Sequence, residues 1–471
     1  NPGVTFATGL IIQVSHSKKN KISLLKIDSH LYGILIAFLF LFSPVSYAQT
    51  IPDIPGSADT GRIQPRLPLE TERPGEGKIL MPNSTVPVPD IPGARDIQLK
   101  LHGVKIIGSS VFSEERLKSV YNPYLNKSVP LDTVWLIAKD ITQMYRDEGY
   151  FLSRAYVPEQ EIDEGIVVIR VIEGWIGNIN FDAESKVSKH RIILSLKDFL
   201  LSRKPLKAAD LEEFMLRLND LSGLSYFGTL QPHDDPKTDE DSVILSLTSQ
   251  TTKQANSQIS ADNYGSRFLG PYQTSIVHEN YFLPLQKTTL FGASSLPFNE
   301  FQYGGLSHSI AIDTKLKLEL SGAYARAKPG ASLENNDIRS ISTDLGLGIR
   351  FQPIQHRNQN LVLSLKLDSK NTNGDILKNT PLTRDKIRAL RASIDYDCSD
   401  RFKGLNIINL SINRGLKIFN ASNENDLNLS RTGAKPDFTT ARINYVRQQI
   451  LPENFAATIQ LAGQISSSPL Y

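Results

Sequence analysis

Residues 134–160, VWLIAKDITQMYRDEGYFLSRAYVPEQ, join a helical pattern to a strand pattern through a single glycine. The apolar residues of the first half recur at the three- and four-residue spacing of one helix face, at Val134, Ile137, Ile141 and Met144. Gly149 follows them, and glycine is the usual residue where a helix ends in a left-handed conformation. The spacing therefore predicts a helix that ends at Gly149 and a strand over residues 151–157.

The same order of patterns occurs twice between residues 97 and 250. Each copy begins with a strand, continues with two helices and ends with two further strands. The second helix stops at Gly149 in the first copy and at Gly223 in the second copy. We expect two small α+β domains with the order β-α-α-β-β, over residues 97–174 and 175–250.

Beyond Thr251 the helical period gives way to alternation with a period of two. Leucines at 316, 318 and 320 alternate with charged residues, and residues 361–368 and 390–396 repeat the pattern. One apolar and one polar face suit a barrel with lipid outside and water inside. A soluble antiparallel sheet has the same pattern. Because more than 200 residues pass without a helical period, we expect the first part of a transmembrane all-β barrel at residues 251–471.

The N-terminal region combines a secretion signal with a linker. Lysines between residues 18 and 26, the apolar run 31–42 and small residues before Gln49 are typical of a signal peptide. The run is too short for a membrane helix, which needs about 20 residues. We assign residues 1–48 to the signal peptide, with a doubtful upstream extension that has no part in the fold. Residues 49–96 are rich in proline and are expected to form an extended periplasmic linker.

No catalytic or metal-binding pattern stands out in the sequence. The 52 lysines and arginines nearly cancel the 49 aspartates and glutamates, so the net charge of +3 does not indicate a nucleic-acid partner. Cys398 is the single cysteine, and the 8 histidines are scattered along the chain. A phosphate-binding loop and a nucleophile elbow are both missing from the sequence. We therefore expect no enzyme, cofactor or small-molecule substrate.

Two segments resemble the POTRA signature of two-partner-secretion transporters, the haemolysin-activator and filamentous-haemagglutinin-transporter family. They are GYFLSRAYVPEQ at residues 149–160 and VVIRVIEG at residues 167–174. DNYGSRFLGPY at residues 262–272 resembles the first barrel hairpin of that family, and GRIQ at residues 61–64 is similar to a stretch before its POTRA domains. The resemblance implies periplasmic POTRA domains ahead of a sixteen-stranded outer-membrane barrel. It also implies a secreted partner, a β-helical exoprotein of the haemolysin or adhesin type.

The family's Val-Arg-Gly-aromatic loop motif does not occur in this sequence. Arg414-Gly415 lies within an alternating strand and is followed by Leu416, so it does not match. About eleven alternating runs follow Thr251, and residues 464–471 resemble the approach to the missing loop. We therefore expect a C-terminally truncated chain that cannot transport as given.

The resemblance implies that the partner adds a strand to the edge of each POTRA sheet, where unpaired backbone groups are available. The edge is expected at the strand that follows the helix pair. The candidate partner-binding residues are Phe151, Leu152, Ser153, Arg154, Ala155, Tyr156 and Val157 in the first domain, and Leu224, Tyr226, Gly228 and Leu230 in the second. Arg154 and Arg170 are candidate electrostatic contacts or simply solvent-facing charges. Two alternatives remain open, an assembly factor for other outer-membrane barrels and a soluble periplasmic β-rich binding module.

Overall fold

The structure is a computed structural model that describes residues 9–16, 79–80, 93–182, 187–232, 241–250, 255–281, 283–377, 379–431, 433–451 and 455–468. The lysine cluster and the apolar run of the expected signal peptide lie outside the described residues, as does most of the expected linker. Among the described residues, no helix has the length and apolar character needed to cross a membrane.

Two short strands precede the first α/β unit. Strand β1 (Gly9–His16) pairs antiparallel with the last strand of the large sheet, and β2 (Ile79–Leu80) pairs parallel with a strand of the second unit. These two strands correct the sequence prediction, which left residues 9–16 out of the fold and assigned residues 79–80 to the linker. A run without proline, such as residues 75–81, offers donors and acceptors that an open strand edge can bind.

The first unit packs two helices on one face of a three-stranded sheet. In chain order it contains β3 (Gln98–Leu101), β4 (Gly103–Ile107), α1 (Glu114–Tyr121), β5 (Lys127–Pro130), α2 (Thr133–Asp147), β6 (Arg154–Tyr156) and β7 (Ile166–Ile172). The sheet order is β4-β7-β6, with β4 parallel and β6 antiparallel to β7, while β3 and β5 form a separate pair. The core lies between the helices and the sheet and includes Ile137, Ile141, Val167 and Ile169.

Gly149 ends the helical region with a φ of +90°, as the sequence predicts. The strand predicted over residues 151–157 is shorter, because backbone bonds from Phe151 to Gly149 and from Ser153 to Tyr150 hold a turn before the strand. The strand therefore begins only at Arg154.

The second unit repeats the β-α-α-β-β order. It contains β8 (Trp175–Phe181), α3 (Arg191–Leu201), α4 (Ala208–Asp220), β9 (Tyr226–Pro232) and β10 (Ser242–Ser249). The sheet order is β2-β9-β10-β8, and the core includes Ile193, Leu211, Phe214 and Leu245. Gly223 has a φ of +78°, but the helix already ends at Asp220, and Gly223 lies in the turn from Leu221 to Leu224 that follows it.

The rest of the described chain is one long antiparallel sheet in which each strand pairs with the next. Its strands from residue 255 onward number eleven among the described residues, in agreement with the sequence count. They are β11 (Ala255–Asp262), β12 (Gln273–Asn280), β13 (Gln286–Ser295), β14 (Phe301–Ala311), β15 (Leu316–Ala327), β16 (Arg339–His356), β17 (Gln359–Ile376), β18 (Thr380–Ser399), β19 (Gly404–Gly415), β20 (Thr439–Leu451) and β21 (Phe455–Ser466).

The two faces of this sheet differ in polarity. Leu345, Leu347 and Ile349 are exposed on one face. On the opposite face the Asp368 carboxylate pairs with Lys366 and Arg391. An apolar outer wall and a charged inner wall are the pattern of a membrane barrel.

Candidate partner-binding surfaces

Two side chains cover the edge on the β6 side of this sheet, Thr142 along β6 itself and Gln160 along the part of β7 that β6 leaves open. The Ala155 amide donates to Thr142 Oγ1 at 2.8 Å, and this hydroxyl also lies 3.4 Å from the Ala155 carbonyl oxygen. Beyond the end of β6, the Gln160 carboxamide pairs with both the N–H and the C=O of Val168, at 2.7 and 2.8 Å. A hydroxyl and a carboxamide thus take the places that backbone groups of another strand would occupy.

The predicted partner-binding residues of the first unit have different surroundings. Arg154 is exposed and Tyr156 is half-buried on the sheet face away from the helices, whereas Ser153 is buried. Phe151 and Leu152 pack against the core of the second unit. Their side chains therefore help to hold the two units together.

The corresponding strand of the second unit has β2 along its free edge, with Ile79 opposite Gly228 and Leu80 opposite Thr229. Tyr226 is buried, and Leu224 and Leu230 pack against the unit's core. Position 228 has little room for a side chain, because an added Cβ would lie 3.2 Å from Leu245 Cδ1 and 3.4 Å from Met215 Sδ. The side chains predicted to bind the partner are therefore not accessible on this strand. A partner could pair only with the strand's backbone, where β2 now lies.

A polar network anchors the end of the first unit where the second begins. The Glu173 carboxylate accepts hydrogen bonds from the Ser110 amide (2.7 Å), the Val111 amide (3.0 Å), the Tyr145 hydroxyl (2.6 Å) and the Ser110 hydroxyl. Burial tends to raise the pKa of Glu173, but the hydrogen bonds from Ser110, Tyr145 and Val111 outweigh it and the pKa is lowered. Burial together with the bond to Glu173 raises the pKa of Tyr145. The carboxylate therefore stays charged and fixes the loop before α1 to the end of β7.

Helix α4 attaches the second unit to the large sheet. Arg217 is 2% exposed and binds the Glu213 carboxylate at 2.8 Å. Its other donors lie 3.4 Å from the Gln352 carbonyl oxygen and 3.2 Å from the Pro353 carbonyl oxygen, near the end of β16. These two residues form a bulge that the pairing of β16 with β17 skips, so their carbonyls need donors from elsewhere.

Further contacts in the same region join α4 to neighbouring turns. Lys317 Nζ lies 2.8 Å from Asp220 Oδ2, and Arg357 Nε lies 3.2 Å from Glu212 Oε1. Arg217 is not among the residues predicted from the sequence, although its spacing of four residues from Glu213 is a visible ion-pair signal. The turns that α4 contacts join β14 to β15 and β16 to β17, so both lie on the side of the sheet that faces the α/β units.

The family comparisons agree with this architecture. Residues 99–174 match the family model "POTRA domain, ShlB-type", and residues 240–471 match "Haemolysin secretion/activation protein ShlB/FhaC/HecB". The heme/hemopexin transporter protein HuxB of Haemophilus influenzae strain 86-028NP is 24% identical over 364 residues, which cover 76% of this chain and 63% of that protein. The outer membrane transporter CdiB of Dickeya dadantii is 19% identical over 79% of this chain and 66% of its own length.

Among solved structures, CdiB from Escherichia coli has the same fold. The two structures superpose with a TM-score of 0.60 at 16% sequence identity, over 84% of this chain and 73% of that chain. A POTRA domain joined to a wide antiparallel sheet with an apolar outer wall is the architecture of an outer-membrane protein with periplasmic domains. The chain belongs to the haemolysin secretion/activation family, whose members are two-partner-secretion transporters.

Proposed function

We propose that the transporter to which this chain belongs recognises a secreted partner protein in the periplasm through its two α/β units and exports it through its barrel. The observation that carries the proposal is the pair of family matches, since a POTRA model and the haemolysin secretion/activation model follow one another along this chain. HuxB is described as a heme/hemopexin transporter protein and CdiB as an outer membrane transporter. Both descriptions support export over the soluble binding module and the barrel assembly factor.

Recognition would rely on backbone pairing at the edges of β6 and β9. An extended partner that adds a strand satisfies donors and acceptors with little regard to its side chains. The partner must first displace Thr142 and Gln160 from the β6 side or β2 from the β9 side. Thr142, Gln160 and β2, which we call the covers of these edges, each provide about two hydrogen bonds, and each bond contributes a net free energy of about 0.5–1.5 kcal/mol. A partner strand of several residues forms more bonds than it replaces.

Export itself needs no catalytic group in this scheme. The partner arrives unfolded, threads through the charged interior and folds outside, and its folding outside makes the passage one-way. Membrane lipid surrounds the apolar outer wall, and the expected partner is a β-helical exoprotein.

The test is capture of a candidate β-helical exoprotein that the same organism secretes. We would immobilise the full chain in detergent micelles and pass over it the N-terminal segment of that protein, diluted from urea. Saturable binding of the unfolded segment, with loss of binding after the segment has folded, is the expected result. Absence of binding, together with faster folding of unrelated outer-membrane barrels when the chain is added, would instead identify an assembly factor.

A further inference from the structure

The sheet of the first unit has one face that no helix covers. Helices α1 and α2 pack on the side of Val167, Ile169 and Val171. We call the other side the open face; it carries Lys105, Ile107, Arg154, Ile166, Val168 and Arg170. Ile107 is 45% exposed and Ile166 is 46% exposed, so aliphatic and cationic side chains alternate on an accessible surface.

The three cations of the open face have no carboxylate partner among the described residues. The side chains of Lys105, Arg154 and Arg170 form no ion pair or hydrogen bond in the described part of the chain, and all three are exposed. Tyr156 lies opposite Arg170 and Ile172 lies opposite Arg154, which makes the two arginines diagonal neighbours on adjacent strands. Diagonal neighbours lie about 7–8 Å apart.

A groove continues from the open face to the second unit. It has a volume of about 640 Å³, and its lining combines apolar residues such as Ile107 and Trp175 with two cations, Arg170 and Lys204, and two carboxylates, Glu173 and Asp241. The Lys204 ammonium lies 3.2 Å from the centroid of the Trp175 ring. Lys204 is exposed and forms no ion pair among the described residues, so it adds a fourth cation, next to Arg170, in a groove that is part apolar and part charged.

We infer that the open face and this junction groove bind an extended segment of the secreted partner in which carboxylates alternate with aliphatic side chains. Alternate side chains of an extended chain lie about 6.8 Å apart, from a rise of about 3.4 Å per residue. That spacing matches the diagonal pair of arginines. Side-chain recognition on this face needs no free strand edge, and the edge on the β6 side is already covered by Thr142 and Gln160. The inference rests on the proposed function for the origin of the segment.

The test uses the full chain in detergent micelles and a fluorescein-labelled dodecapeptide of alternating glutamate and valine. Fluorescence anisotropy at low ionic strength should show binding of this peptide and not of the matching lysine–valine peptide. The double variant Arg170→Glu/Lys204→Glu should weaken binding at least tenfold. The control Lys139→Glu/Lys189→Glu changes the net charge equally at exposed positions off the open face and should leave affinity within twofold. The variant Arg170→Gln/Lys204→Gln, which adds no negative charge, should give an intermediate loss.

Two results would overturn the inference: equal weakening by both charge-reversal variants, or equal binding of the two peptides. Capture of the natural partner separates this inference from the proposed function. If wild type and Arg170→Glu/Lys204→Glu capture the partner equally, the open face is not the binding surface but the transport function stands. If wild type captures no partner while the glutamate–valine peptide binds, the proposed function fails and the open face remains an acidic-peptide site.

Discussion

Arg217→Ala should loosen the second unit from the sheet without unfolding either part. The substitution leaves the Glu213 carboxylate, which is 18% exposed, without its cation and leaves the two carbonyls of the β16 bulge without donors. Breaking a buried ion pair by removing one partner costs about 3–5 kcal/mol. The two carbonyl contacts are long, at 3.4 and 3.2 Å, so we add nothing for them.

The contacts that remain after this substitution are the half-buried pair between Lys317 and Asp220, at 2.8 Å, and one exposed pair. Arg357 is 71% exposed in its pair with Glu212, and exposed ion pairs contribute about 0–1 kcal/mol. Arg217 and Glu213 lie on the same helix, so the docking equilibrium loses only the share of this free energy that comes from burying the unpaired carboxylate at the junction, at most about 3–5 kcal/mol or roughly two to three and a half powers of ten. A second unit that is docked almost completely in the wild type should then populate detached orientations.

Electron–electron double resonance across the junction measures this change. Spin labels at Lys189→Cys in the second unit and Phe402→Cys in a turn of the sheet, with Cys398→Ser, report one distance in bilayers. We expect a narrow distribution for wild type and a broad one for Arg217→Ala, while the control Arg357→Ala stays narrow. Replacing both partners, as Arg217→Met/Glu213→Leu, should narrow the distribution again because no unpaired charge remains. A distance distribution for Arg217→Ala as narrow as that of wild type would refute the role of Arg217 in holding the second unit to the sheet.

Three further predictions concern the α/β units, and urea titration of tryptophan fluorescence measures each of them because both tryptophans of the chain lie in these units. Gly149→Ala should cost about 1–2 kcal/mol from the left-handed backbone alone, whereas Gly223→Ala should cost more because its Cβ would also lie 3.1 Å from a side chain of the sheet. Because the pKa of Glu173 is lowered in the folded state, its stabilising effect is complete above the ordinary glutamate pKa and is lost as the pH falls through the lowered value. Glu173→Gln should therefore reduce the loss of stability in acid. An unchanged dependence of stability on pH would show that the hydrogen bonds to Glu173 do not stabilise the first unit. Thr142→Val should destabilise the first unit by about 1–3 kcal/mol by leaving the Ala155 amide without an acceptor, and a midpoint equal to wild type would show that this amide finds another acceptor.

Local patterns in the sequence were sufficient for the helices, their end at Gly149 and the alternation of the sheet. These features depend on side-chain period and on the backbone freedom of one residue, both of which are visible in a short window. The predicted count of eleven strands after Thr251 is confirmed among the described residues for the same reason.

The contacts that close the edges could not be read from local patterns. Thr142 lies beside the apolar stripe of its helix, so its hydroxyl reaches Ala155 only because the helix packs against β6. Arg217 likewise acquires its role from a bulge 135 residues further along the chain. The predicted strand over residues 151–157 was too long, since the turn after Gly149 uses backbone bonds that a propensity argument does not consider.

The way the two edges are closed has a functional consequence. A protein that handles unfolded β-forming chains in the periplasm would aggregate with them or with itself if it kept long strand edges open. A full additional strand would remove the hazard but would also exclude the partner. In this chain the covers are small: one threonine hydroxyl, one glutamine carboxamide and a strand of two residues. Each cover satisfies the buried backbone groups at rest, and each is weak enough for a longer partner strand to replace it. We infer that the short covers are retained because they are exchangeable. Lengthening the pairing of β2 along β9 should therefore stabilise the second unit and reduce capture of the partner in the same variant.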